Sequence, residues 1–94
     1  MTDNNGLPWP AQMRAYLLGS GWAHDRDMVM YDTYDLTGPP SYRMSVPSAA
    51  MDKREARAYI RNGIRILSGI EGRRMRDILH DMLQQEPNGR NRNM

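Results

Sequence analysis

The spacing of apolar positions changes along the chain, and each change marks an element. Met13, Tyr16 and Leu17 share one face at helical spacing, which predicts a short helix from about Pro10 to Leu18. Pro8-Trp9-Pro10 opens it, since a proline in the first helical turn gives up only an N–H that has no intrahelical partner. Gly19 and Gly21 are suited to stop it, and Trp22 is placed to pack back on it. Residues 28–36 then read as a strand. Met30, Tyr34 and Leu36 fall on one side with Asp32 between them, and Val29, Tyr31 and Thr33 fall on the other. Thr37-Gly38-Pro39-Pro40 is a turn signal. From Ser41 to Val46 the alternation is clean, with Tyr42, Met44 and Val46 opposite Ser41, Arg43 and Ser45, and Pro47 ends the strand. The two strands predict an antiparallel hairpin. Residues 22–27 leave room for an extra strand.

Helical spacing then returns. Asp52 is a good N-cap, and Glu55 three residues on suits a capping box. Ala56, Tyr59, Ile60, Gly63, Ile66, Leu67 and Ile70 recur on one face of a helix that runs to about Gly69, and Gly72 breaks it. A last helix over Arg73 to Gln85 carries the stripe Met75, Ile78, Leu79, Met82 and Leu83, with Pro87 just beyond. The expected fold class is α+β, in the order α-β-β-α-α: a short N-terminal helix, an antiparallel β-hairpin and two C-terminal amphipathic helices covering one sheet face. Residues 1–7 and 86–94 are polar and have little to bury, so a single domain over 8–85 with disordered ends is expected.

Composition adds bounds. The chain of 94 residues has no cysteine, which excludes disulfides and thiolate chemistry. No apolar run approaches the roughly 20 residues that span a bilayer, and the first residues lack a signal-peptide pattern. A cytoplasmic protein that does not enter a membrane is expected. An ordered part of roughly 80 residues is only marginally stable alone, so a homo-oligomer is expected. Nine methionines and no phenylalanine suit either a soft core or an adaptable contact surface.

Charge separates the two halves. Residues 1–50 hold three arginines against five aspartates, net −2, and residues 51–94 hold ten Lys or Arg against six acids, net +4. At about 100° per residue, Arg54, Arg57, Arg61 and Arg65 fall within a sector of roughly 80° that contains no acid. Guanidinium groups bind phosphate and carboxylate as a fork, so this sector is a candidate anion or acidic-partner face. The alternatives are a solvated face, or one paired with the acidic half inside the fold. Arg73, Arg74 and Arg76 form a second cationic group, at the start of the last helix, where they oppose the helix dipole. With the free N–H groups there they would make an anion site, unless the two helices are nearly continuous. Tyr31 and Tyr34 point to opposite faces of one strand, so one of them, or Trp9, is expected at an interface.

The strand Ser41-Tyr42-Arg43-Met44-Ser45-Val46-Pro47 and the turn Glu71-Gly72-Arg73 before Asp77-Ile78-Leu79 resemble ribbon-helix-helix DNA-binding proteins. The resemblance implies a dimer whose paired strands lie in the major groove, with Ser41, Arg43 and Ser45 at base edges. The chain departs from that family in two ways. The segment from Pro47 to Gly72 is too long for the family's first helix, and the strand over 28–36 competes for the pairing edge. Alternatively, Arg57 to Leu83 reads as a helix-turn-helix, with Arg73, Arg74 and Arg76 opening the recognition helix. Catalytic groupings are thin. His24 lies near Asp25 and Asp27, and His80 near Asp77 and Asp81, on what reads as solvent-facing surface. Gly19-Ser20-Gly21 follows a helix and so does not form a nucleotide loop. No cofactor and no metal is expected. The chain is therefore expected to be a non-catalytic, protein-binding regulator or inhibitor, of the antitoxin or phage anti-defence type, whose partner has a complementary charged surface. The alternatives are a nucleic-acid-binding regulator and a binder of a small phosphorylated ligand.

Overall fold

The computed structural model describes residues 6–85. The order is α1 (Pro10–Gly19), β1 (Ala23–Asp27), β2 (Tyr31–Leu36), β3 (Tyr42–Pro47), α2 (Lys53–Glu71) and α3 (Met75–Leu83). The protein is α+β, as expected, but the hairpin is part of a three-stranded antiparallel sheet in the order β1-β2-β3. The extra strand is β1, which occupies the segment with room for it. The strand expected from residue 28 starts only at Tyr31, because 28–30 make the turn between β1 and β2. Met30, expected on the same strand face as Tyr34 and Leu36, lies in that turn and is exposed.

Each helix end has a physical cause. Gln12 closes two ends at once: its Oε1 accepts from the Trp9 N–H at 2.7 Å, and its Nε2 donates to the Leu83 and Gln85 carbonyls at 3.3 and 3.1 Å. A buried glutamine thus satisfies groups at the start of α1 and the end of α3 that helices leave unpaired. Asp52 caps α2 by accepting from the Arg54 and Glu55 N–H groups, at 3.1 and 3.4 Å. Gly72 ends α2 with φ of 67°, the left-handed conformation that glycine adopts without a Cβ clash.

The helices lie on the sheet face that carries Tyr34, Met44 and Val46, and α2 packs on both β3 and α3. Met13, Leu17, Ile60, Leu67, Ile78 and Met82 are fully buried between them. Leu7 joins this core at 8% exposure, so the packed region starts earlier than residue 8. The rest of the expected disordered ends, 1–5 and 86–94, lies outside the described residues. The methionines split between both expected roles: Met13, Met44, Met51 and Met82 are buried, and Met28, Met30 and Met75 are exposed. Among the described residues no helix is long and apolar enough to cross a membrane.

β1 has all five residues exposed, and its edge is open because β2 pairs only with its other side. Its register shifts between His24 and Arg26, and it is rich in charge. A bulge and alternating charges are the devices that keep an edge strand from pairing with another sheet.

Two polar networks tie the layers. Asp32, expected among apolar neighbours, is 8% exposed. It accepts from Arg14 Nε at 3.0 Å, from Arg14 Nη2 at 3.0 Å and from the Tyr34 hydroxyl at 2.9 Å. The same guanidinium donates to the Pro47 carbonyl at 2.6 Å. On the other side, the Tyr16 hydroxyl bonds Glu71 at 2.9 Å, and Arg73 reaches Tyr16, Glu71 and Asp81 at 3.2, 3.3 and 2.6 Å. Among the described residues no buried side-chain polar atom lacks a partner.

Burial, then a hydrogen bond to a carboxylate, pushes both Tyr16 and Tyr34 up to about 12. Folding therefore favours the neutral phenols over an unfolded chain in which they ionise near about 10. That stability is complete below about pH 10 and is lost as pH rises from there towards 12. Melting temperature should fall across this window, and the fall should be shallower in Y16F/Y34F. Equal slopes for the two proteins, followed by circular dichroism, would count against this assignment.

Candidate functional site

The described arginines divide into two groups. Arg14 pairs with Asp32 at 3.0 Å, Arg26 with Asp25 at 3.4 Å, and Arg43 with Asp35 at 2.8 Å and Asp25 at 3.3 Å. Arg73 pairs with Asp81 and Glu71, and Arg74 lies 3.8 Å from Asp77. By contrast, Arg54, Arg57, Arg61 and Arg65 make no ion pair or side-chain hydrogen bond among the described residues, and neither does Arg76. Arg54, Arg61 and Arg65 are exposed, and Arg57 is half-buried.

The first cause is helical geometry. Ile60, Gly63, Ile64 and Leu67 face the core, so the arginine sector points away from it. The second is competition for acids. Asp25, Asp32 and Asp35 are bound by Arg14, Arg26 and Arg43, and Asp27 holds His24 at 2.9 Å. The described acids of the N-terminal half are thus engaged elsewhere, and none reaches α2. The stripe is not neutralised inside the fold. It runs from Arg54 to Arg65, 12 residues, or about 16 Å from first to last at 1.5 Å per step.

The stripe runs between two concavities. On one side a cleft of about 500 Å³ is lined by Trp9, Ala11 and Arg14 from the start of α1 and by Pro47, Met51, Lys53, Ala56 and Ile60. On the other a groove of about 480 Å³ separates Arg43, Met44 and Ser45 of β3 from Ala58, Tyr59, Asn62, Gly63 and Ile66 of α2. Tyr59 of α2 stacks on Tyr31 of β2, with ring centroids 6.2 Å apart.

Several expected site residues are placed otherwise. Tyr34 is 3% exposed, because its hydroxyl is drawn inward by Asp32, so it offers nothing to a partner. Tyr31 and Trp9 are half-buried. Arg43 is held by two aspartates on the outer sheet face. The hydrogen bond and charge of Arg43 in turn hold Asp35 below the ordinary carboxylate range. The expected group of Arg73, Arg74 and Arg76 does not form. α3 starts at Met75, not Arg73, and Arg73 turns back to bond Tyr16, Glu71 and Asp81. Those bonds, Asp81 foremost, raise its pKa further. The ribbon arrangement does not form within the chain either. β3 pairs with β2 through all six of its residues, and α2 packs beside it.

Among the described residues one trio, His24, Asp27 and Asp32, brings three ligand-type atoms within 4.8 Å. The Arg14 guanidinium already sits 3.0 Å from Asp32 Oδ2, and a divalent cation there would meet its charge at close range. The trio is better described as the end of the Arg14–Asp32–Tyr34 network, with His24 edge-on to Tyr34 at 5.4 Å.

Sequence reasoning located the stripe but missed the cleft. Its lining comes from two distant segments, 9–14 and 47–60, and only the small and apolar residues around 47–60 hinted at a concave surface there. The chain matches no known protein family, no curated protein and no solved structure.

Proposed function

We propose that this protein is a non-catalytic, cytoplasmic regulator or inhibitor that binds an acidic surface of a protein partner along the Arg54–Arg65 face of α2. The observation that carries the reading is the row of partnerless guanidiniums in a molecule that pairs most of its other described arginines. Four cations on one helix repel one another by a few tenths of a kcal/mol per pair. A face kept in that state gains most from a ligand that supplies the missing carboxylates. Charge of this kind steers a partner in and sets its register.

A protein partner is favoured over nucleic acid by what surrounds the stripe. Asp27 adds a negative charge at the sheet edge, and Asp25 and Asp35 offset the arginines they bind, so the sheet gives a long polyanion no further cationic track. The stripe itself is short, and the groove beside it offers Tyr59 and Asn62, an aromatic and an amide suited to a polypeptide.

The test uses fluorescence anisotropy with a labelled Asp- and Glu-rich peptide and a labelled short DNA duplex, each at low and physiological salt. The peptide should bind, and R57A/R61A should weaken it by at least about tenfold, since charge-assisted hydrogen bonds contribute roughly 1.5–3 kcal/mol each. The melting temperature should not move, because both side chains lie outside the core. Tighter binding of the duplex at physiological salt would replace this reading with nucleic-acid recognition. Peptide binding indifferent to R57A/R61A would remove the stripe from function.

A further inference from the structure

The turn between β1 and β2 exposes three successive apolar side chains, Met28, Val29 and Met30, with Val29 at 81%. Runs of this kind at a surface are rare in soluble domains unless they serve a contact. The turn is also well held. The Met28 N–H bonds the Tyr31 carbonyl at 2.7 Å, and Ser48 bonds the Val29 carbonyl through Oγ at 2.8 Å and the Met30 carbonyl through N–H at 2.9 Å. It is thus a pre-organised apolar knob.

Ser48 also lines the cleft between the start of α1 and α2. The knob and the cleft are therefore neighbours on one face of the molecule, joined at Ser48. Their chemistry is complementary. The cleft is walled by Ala11, Met51, Ala56 and Ile60, and its volume of about 500 Å³ has room for several apolar side chains. Their charges are complementary as well. Asp27, 80% exposed in its side chain, flanks the knob, and Lys53 stands at the cleft.

We propose that the Met28–Met30 tip of one copy seats in the cleft of a second copy, and reciprocally, to form a two-fold dimer. A two-fold interface requires one surface that carries both the knob and its receptor, and this face does. Asp27 of each copy then lies against Lys53 of the other. The contact uses α2 through Lys53, Ala56 and Ile60, one turn from Arg57 but in a different sector from Arg54, Arg61 and Arg65. The dimer therefore leaves Arg54, Arg61 and Arg65 open and does not depend on the function proposed for that face.

Sedimentation equilibrium on the full chain tests this. The wild type should show twice the chain mass at about 200 µM, a concentration that populates even modest affinities. V29D should weaken dimerisation by at least about tenfold, since each interface loses two buried valines. Its far-UV spectrum and dilute-solution melting should match the wild type, because the Val29 side chain is 81% exposed. D27K and K53D should each weaken the dimer, and D27K/K53D should recover most of the loss. A wild type that stays monomeric overturns the proposal and assigns the knob and cleft to other occupants, including the chain's own ends. A dimer indifferent to V29D overturns it, and so does a double charge swap that restores nothing.

Discussion

Replacing Asp32 with alanine should cost the fold about 3 kcal/mol, the low end of what breaking a buried ion pair from one side costs. Asp32 is where α1 meets the sheet. Its carboxylate takes the Arg14 fork at 3.0 Å and the Tyr34 hydroxyl at 2.9 Å. Without it, the guanidinium keeps only the Pro47 carbonyl, and the Tyr34 hydroxyl is left buried with no acceptor. For a domain of this size the melting temperature should fall by roughly 12–24 °C. Asp32 also leaves a pH signature. Burial acts to raise its pKa, but the hydrogen bonds from Arg14 and Tyr34 and the Arg14 charge together outweigh it and hold it below the ordinary value. A carboxylate depressed in the fold contributes stability that is present above its unfolded pKa near about 4 and is lost as pH falls through the folded value. The wild type should therefore lose stability on acidification below about pH 4, and D32A should lose less over the same range. Chemical denaturation at pH 7 and pH 3 measures both. A loss under about 1 kcal/mol at pH 7 would mean that the network is too well solvated to matter.

Gly63→Val should be nearly as damaging, at about 2–3 kcal/mol, because it overfills the buried contact of α2 with Met13 and Met44. A Cβ at Gly63 would sit 2.4 Å from Met13 Cε and 3.3 Å from Met44 Sδ. Here α2 meets the Met13 side chain of α1 and the Met44 side chain of β3. Alanine is the informative control. It gains about 0.8–1 kcal/mol of helix propensity over glycine, and the clashing atom is the end of a flexible side chain. Met13 is fully buried, however, so its methyl can move only into space that neighbours must release. G63A should therefore land near the wild type or slightly below it, while valine adds branched atoms that cannot be absorbed. Thermal melts of the pair give the answer, and a G63V protein as stable as the wild type would show that the crossing is loose.

The arginine face was legible because it is local. Four residues on one helix at known angular spacing lie together whatever else the chain does, provided the helix forms, and the Asp52 cap and the Ile60–Leu67 stripe ensure that it does. The Met28–Met30 knob was misread for the opposite reason. In sequence the three residues continue an apolar alternation into β2, and only the pairing of β1 with β2 turns them into an exposed turn. Arg73 was misread because its partners lie on three helices, Tyr16 on α1, Glu71 on α2 and Asp81 on α3, which only tertiary packing brings together.

Periodicity and capping by themselves determined the α+β class, the order of the helices and the main strand pair, and the outward sector of α2. These depend on interactions within a few residues, where backbone geometry fixes which side chains are neighbours. Only the tertiary structure decided which arginines are neutralised, that Asp32 is a buried anchor, that Tyr34 is inaccessible, and that an apolar cleft lies beside an apolar knob. Several of those outcomes rest on contacts between segments far apart in the chain, 18 residues for Arg14 and Asp32 and 57 for Tyr16 and Arg73. The competition of several cations for few acids is settled by which of them the packing brings within reach.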